Sequence, residues 1–264
     1  MHLSTQPEID EGFHLLYELK FPQARSVFRN WEQQHLGEAL GPAAESASYL
    51  FQEFDRQGVL TSEFFLDNRK LLGGTDGTPD PQLRDGFNAA TKKAQELARE
   101  RLQVNPRDPD ALLALTISVG MLSDYAALIE RRQLESLRLT REAENTAKEL
   151  IAVAPDAADA YVALGAANYI LGCLPAYKRF VIRFGGYHGD RALGMQQLSL
   201  ATEKGHYLRP FSKLMLALAA LREKQEDVAR TQFQQLVAEF PANPKFAVEL
   251  AKLTITIGPA ATNR

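Results

Sequence analysis

Few places in this chain of 264 residues carry side chains able to do chemistry. The histidines are His2, His14, His35, His188 and His206, and none has a second histidine or a cysteine at metal-ligand spacing. His188 and Asp190 stand two apart, a spacing that suits a hydrogen-bonded turn better than a catalytic pair. Cys173 is the lone cysteine, so it can form neither an internal disulfide nor a cysteine cluster, and its apolar neighbours mark it as a small core residue. Gly73-Gly74-Thr75-Asp76-Gly77 is glycine-rich but lacks the lysine and the helix start of a phosphate loop, and it reads as a flexible connector. No GxGxxG, GxSxG, HExxH or calcium-loop pattern is present. The expectation is a protein without catalytic residues, metal or cofactor, hence not an enzyme.

Charge offers a binding candidate instead. Between Leu174 and Lys213 stand Lys178, Arg179, Arg183, Arg191, Lys204, Arg209 and Lys213 against Asp190 and Glu203, a local excess of +5 in a chain of net charge −3. The overall balance gives no basic field for nucleic acid. Arginine offers a forked donor suited to carboxylates, so the stretch fits an acidic partner; cations scattered on two helices also fit a solvated face. Aromatic residues and glycines interleave with these cations over Cys173–Gly189, with Tyr177 and His188 among them, and this piece reads as an insertion. A small-ligand pocket around Tyr177, His188 and Asp190 is a further option.

The elements that position these residues are helices. Apolar residues recur at helical spacing over Pro7–Lys20, Pro22–Leu36 and Ala43–Arg56. Phe13, Tyr17, Phe28 and Trp31 would form the core of the first pair. Leu60–Pro81 breaks the pattern with Gly73, Gly74, Gly77, Pro79 and Pro81 and reads as a loop. Helices are predicted again over Leu83–Val104, from Asp108 as N-cap to about Met121, and from a Ser123 cap through Asp124–Val153, with a bend near Ser136. Further helices start at Asp156, Asp190, Leu208, Glu226 and Pro244. The reading places an N-terminal unit at 1–59, a linker at 60–82, a main array at 83–257 and a disordered tail at 258–264. No run of 18 apolar residues is found, so no transmembrane segment is expected. Met1–Glu11 is polar and does not read as a signal peptide; the compartment, cytoplasmic or extracytoplasmic, stays open.

A small residue stands twelve positions before a proline three times: Ala94 and Pro106, Ala143 and Pro155, Ala229 and Pro241. Tyr161, Leu164, Gly165 and Asn168 form a matching first helix, while Gly12, Ala24 and Phe28 look like a diverged opening repeat. In this the chain resembles the tetratricopeptide repeat family. The prolines lie 49 and then 86 residues apart, so the repeats are interrupted; the family period is about 34 residues. Arg101 replaces a usual small residue, and Tyr177 stands where the partner of Gly165 belongs. The segments Ser123–Leu137 and Gly185–Gly194 also resemble a lineage of bacterial proteins with such repeats.

The resemblance implies an all-α fold, antiparallel helix hairpins stacked into a right-handed superhelical solenoid, and a non-catalytic scaffold binding a protein or peptide of acidic character in a helical groove. The candidate partner-binding residues are Tyr161, Asn168, Tyr177, Arg179, Arg183, His188, Arg209 and Lys213, with Asn168 on the concave wall. The alternatives are a self-assembling homo-oligomeric subunit and a small-ligand binder built on the insertion.

Overall fold

The structure, a computed structural model, describes residues 6–255. His2 and the tail at 258–264 lie outside the described residues. The chain is all-α, and its helices follow from the apolar periodicities and their caps. The first are α1 (Pro7–Tyr17), α2 (Phe21–Gln34), α3 (Leu40–Gln57), α4 (Ser62–Leu66), α5 (Asn68–Gly73) and α6 (Pro81–Val104). Next come α7 (Pro109–Asp124), which runs on into a π-turn at Tyr125–Ile129, and α8 (Gln133–Val153). The last are α9 (Ala160–Cys173), α10 (Ala176–Phe184), α11 (Arg191–Lys204), α12 (Arg209–Arg222), α13 (Glu226–Glu239) and α14 (Pro244–Ile255). The cap of α7 is typical: Asp108 accepts from the amides of Asp110 and Ala111, both at 3.1 Å, and Pro109 takes the first position.

Successive long helices pack in pairs: α1 with α2, α3 with α6, α7 with α8, α9 with α11, and α12 with α13. Small residues set the approach. A Cβ at Gly12 would stand 2.1 Å from the Phe28 ring, and Ala24, Ala94, Ala143 and Ala229 are all buried. The α9–α11 pair is closest: a Cβ on Gly194 would meet the Tyr169 amide nitrogen at 2.6 Å, and one on Gly165 the Gly194 carbonyl at 3.0 Å. The partner of Gly165 is thus α11, and α10 is looped out between the two halves of the hairpin. Arg101 does not enter its hairpin as a small residue would. Its guanidinium donates to Asp108 at 2.9 and 2.7 Å and pairs with Glu38.

The array closes on itself. Phe51 of α3 meets Phe211 of α12 with ring centroids 5.2 Å apart, Phe13 of α1 stacks on Tyr207, and Tyr17 meets Phe240 at a tilt, each with centroids 5.4 Å apart. The Asn243 side-chain amide donates to the Tyr17 carbonyl at 2.8 Å, and Lys245 and Lys252 of α14 reach Asp55 and Glu63. One apolar core runs from Ile9 to Leu253.

Two local readings of the sequence are corrected. Leu60–Pro81 contains the two short helices α4 and α5, because Phe64, Phe65 and Leu71 are buried and Thr61 and Asp67 cap their first turns. Ser123 does not start a helix. The chain stays helical to Ile129 and turns only at Arg131, whose φ is 61°, so the predicted Asp124–Val153 helix is really the end of α7, the π-turn and α8. The Ser123 hydroxyl instead reaches α8, at 3.0 Å from the Ser136 carbonyl and 2.8 Å from the Thr140 hydroxyl. By length and composition alone, Pro109–Ile129 is apolar enough to cross a membrane. It is 72% buried as an inner wall of the array, and a helix surrounded by protein is apolar all round for that reason.

Candidate functional site

The inner helices α3, α7, α9 and α12 surround a cavity of about 380 Å³. This lies within the size range of small-molecule sites, roughly 300–1,000 Å³. Its walls are mainly Leu, Ile, Phe, Met, Val and Ala side chains, among them Phe54, Ile117, Met121, Ala166, Ile170 and Phe211. On α9 the wall positions Ala163, Ala166 and Ile170 recur every three or four residues, one face of the helix. One side of the cavity is polar. There Ser123, Asp124, Gln133, Ser136 and Thr140 come together from the end of α7 and the start of α8.

The π-turn builds that polar side. Its closing bond runs from the Glu130 amide to the Tyr125 carbonyl at 3.0 Å, five residues apart. Such single-turn π interruptions of α-helices are frequent at functional sites. The freed carbonyls are taken up locally: Ala127 accepts from the Gln133 side-chain amide at 3.0 Å, and Leu128 accepts from the Thr75 amide at 2.7 Å. The glycine-rich stretch therefore has a structural role. A Cβ on Gly74 would stand 2.7 Å from the Leu128 oxygen, and its φ of 85° is left-handed, so glycine is required where this strap seals the turn.

Two carboxylates border the cavity, and they differ in kind. Asp159 is 1% exposed and accepts from the amides of His206, Tyr207 and Leu208 at 2.8, 3.1 and 3.0 Å, which starts α12. Burial pushes its pKa up and these amides pull it back, with a raised pKa as the result. Asp124 has no such support. No hydrogen bond or ion pair reaches its carboxyl among the described residues, and desolvation alone pushes its pKa up to about 7. Asp124 was legible only as an acid near a helix start; the signal that marks it is a lone carboxylate inside the most apolar stretch of the chain, Ala111–Ile129.

Helix α10 lies across the mouth, with Tyr177, Lys178, Val181 and Ile182 lining the cavity. None of its residues is buried, and Phe180, Val181 and Phe184 are 64%, 65% and 82% exposed. It is tethered by Arg141, which donates to the Gly185 carbonyl and lies 3.8 Å over the Tyr187 ring, and by Arg179, which donates to the Gly172 carbonyl at 3.4 Å.

The structure distributes the sequence candidates over several places. Tyr177, Arg179 and Arg183 share α10, and only Tyr177 borders the cavity. Arg209 and Lys213 both hold Glu239, at 2.7 and 2.8 Å, and Lys213 is buried, so these two cations tie α12 to α13. Arg191 is paired with Glu223 at 2.9 Å. Asn168 is turned away from the inner wall: its amide donates to the Leu164 carbonyl at 3.1 Å and to Gln197 of α11 at 3.0 Å. Tyr161 packs half-buried against the core. His188 is exposed on the loop after α10, near Glu144, while Asp190 caps α11 through the Leu193 amide at 3.1 Å. Three of the seven cations are therefore spent on internal ion pairs, and the exposed remainder is Lys178, Arg179 and Arg183 on α10 and Lys204 at the end of α11.

Among the described residues no three His, Cys, Asp or Glu side chains are grouped so as to hold a metal ion. Burial raises the Cys173 thiol above its ordinary range, which keeps it protonated and a poor nucleophile. No protein-family model matches the chain, and no curated protein matches it significantly.

Proposed function

We propose that this chain is a non-catalytic binding protein of tetratricopeptide type, a right-handed superhelical stack of hairpins whose ends have met, and that its ligand is an apolar small molecule held in the central cavity. The observation that carries this reading is the cavity itself, walled by the helices that in an open array would line the groove. Once Phe51 meets Phe211 the concave surface faces inward, and the space left suits a small molecule rather than an extended chain.

The test is titration with N-phenyl-1-naphthylamine, a neutral probe that fluoresces in apolar surroundings. Wild-type protein is expected to bind it saturably, and Ala166→Trp, which fills the cavity from α9, to lose at least tenfold in affinity with its helical circular dichroism unchanged. Equal binding by both proteins would defeat the cavity reading. A second reading rests on the exposed cations Lys178, Arg179 and Arg183: a scaffold taking an acidic peptide on α10. Capture of a poly-glutamate peptide by wild type but not by an Arg179→Glu, Arg183→Glu variant, with no probe binding by either, would support that reading instead.

A further inference from the structure

Resting on the cavity reading, we propose that the ligand is an amphipathic cation: an apolar molecule carrying a protonated amine, with its head group on Asp124 and its apolar body among the side chains of α3, α9 and α12. The charged side chains that border the cavity are Asp124, Asp159 and Lys178. Asp159 is fully used by three backbone amides, and Lys178 stands on the exposed helix at the mouth. Asp124 is left as an acceptor without a donor, set in the wall of an apolar space. Asp124 is half-buried, and a charge partly withdrawn from water without a counter-charge is costly.

The chemistry beside Asp124 selects the head group. A protonated amine supplies the missing opposite charge and three N–H donors. Acceptors for the remaining donors lie on the same wall: the Ser136 and Thr140 hydroxyls, already linked through Ser123, and the Gln133 side-chain oxygen, whose nitrogen is engaged with Ala127. A fatty acid would place its carboxylate against a like charge. A neutral alcohol would supply a single donor and no charge. The π-turn points the same way, since it departs from α-helical spacing at the residue after Asp124 and brings the Gln133 end of α8 to the cavity.

The experiment is displacement of N-phenyl-1-naphthylamine at pH 8 by decylamine, decanol and decanoate, which share a chain and differ in head group. With wild type, decylamine is expected to compete at least tenfold better than decanol, and decanoate worst. In Asp124→Asn, which keeps shape and removes charge, the three should fall within about threefold of one another while the probe still binds; Asp124→Glu should retain the amine preference. Decanol or decanoate matching decylamine on wild type, or the preference surviving in Asp124→Asn, would overturn the assignment and leave the cavity reading standing. Failure of the probe to bind wild-type protein overturns the cavity reading, and this assignment with it.

Discussion

Asp124 sets a pH dependence that the empty protein should show. Its carboxyl ionises near the ordinary value of 3.8 in the unfolded chain and at about 7 in the folded one. Stability linked to this group is fully present below about pH 4, where both states hold the proton. It is lost progressively as pH rises to 7, because only the unfolded chain ionises freely, and above that the loss is complete, on the order of a few kcal/mol. The charged groups sharing the cavity, Asp159 and Lys178, are common to wild type and Asp124→Asn and cancel in the comparison. Urea midpoints of the two proteins should coincide at pH 4 and separate in favour of Asp124→Asn by pH 8. Parallel curves across this range would show that Asp124 reaches water. At this scale the sequence was least informative. The basic residues drew attention by their number, yet Arg191, Arg209 and Lys213 are occupied by Glu223 and Glu239, partners 26 to 32 positions distant in the chain. No local pattern announces such pairing, and none announces that Asp124 goes unpaired.

At the scale of elements, the small residues decide which helices touch. Gly194→Ala would drive a Cβ into the backbone of α9 and is expected to cost about 2 kcal/mol, as overpacking of a tight contact does. Gly120→Ala offers the contrast. Its new methyl group would meet nothing closer than Ala143 at 4.0 Å, so the helix should gain up to about 1 kcal/mol from lost glycine freedom. Denaturant unfolding of the two variants checks the pair, and equal effects would contradict the packing described. Helices were well read from the sequence because apolar period and caps are local: Asp108 with Pro109 and Asn243 with Pro244 start helices where expected. The readings that differed turn on distant contacts. Ser123 has the side chain of a cap but bonds to α8, and α4 and α5 are too short for periodicity and are held by burial of Phe64, Phe65 and Leu71.

At the scale of the molecule, the seam joins the first and last hairpins beside the cavity. Asn243 is buried there, donating to the Tyr17 carbonyl at 2.8 Å while accepting from the Lys245 amide at 3.0 Å, yet it does not border the main cavity. Asn243→Ala is expected to lower stability by about 2 kcal/mol, the cost of two buried groups left unsatisfied. It should also weaken probe binding severalfold, measured by the same fluorescence titration. Lost stability with unaltered affinity would show that the seam is not needed to shape the site. Closure itself could not be read from the repeat pattern, which describes neighbours and not the meeting of Phe51 with Phe211 across 160 positions.

A stack whose ends join also has a fixed membership. Open arrays can lengthen by duplicating a unit, since each unit touches only its neighbours. Here a sixth hairpin would have to part Tyr17 from Phe240 and Asn243, and the enclosed space would change with it. Novelty can enter such a lineage sideways, within a hairpin, without altering the count. The two stretches that interrupt the pairs of long helices, α4 with α5 and α10, sit between α3 and α6 and between α9 and α11, and both supply residues to the cavity. The paired long helices would be the frame, and the inserts the part free to choose what is held.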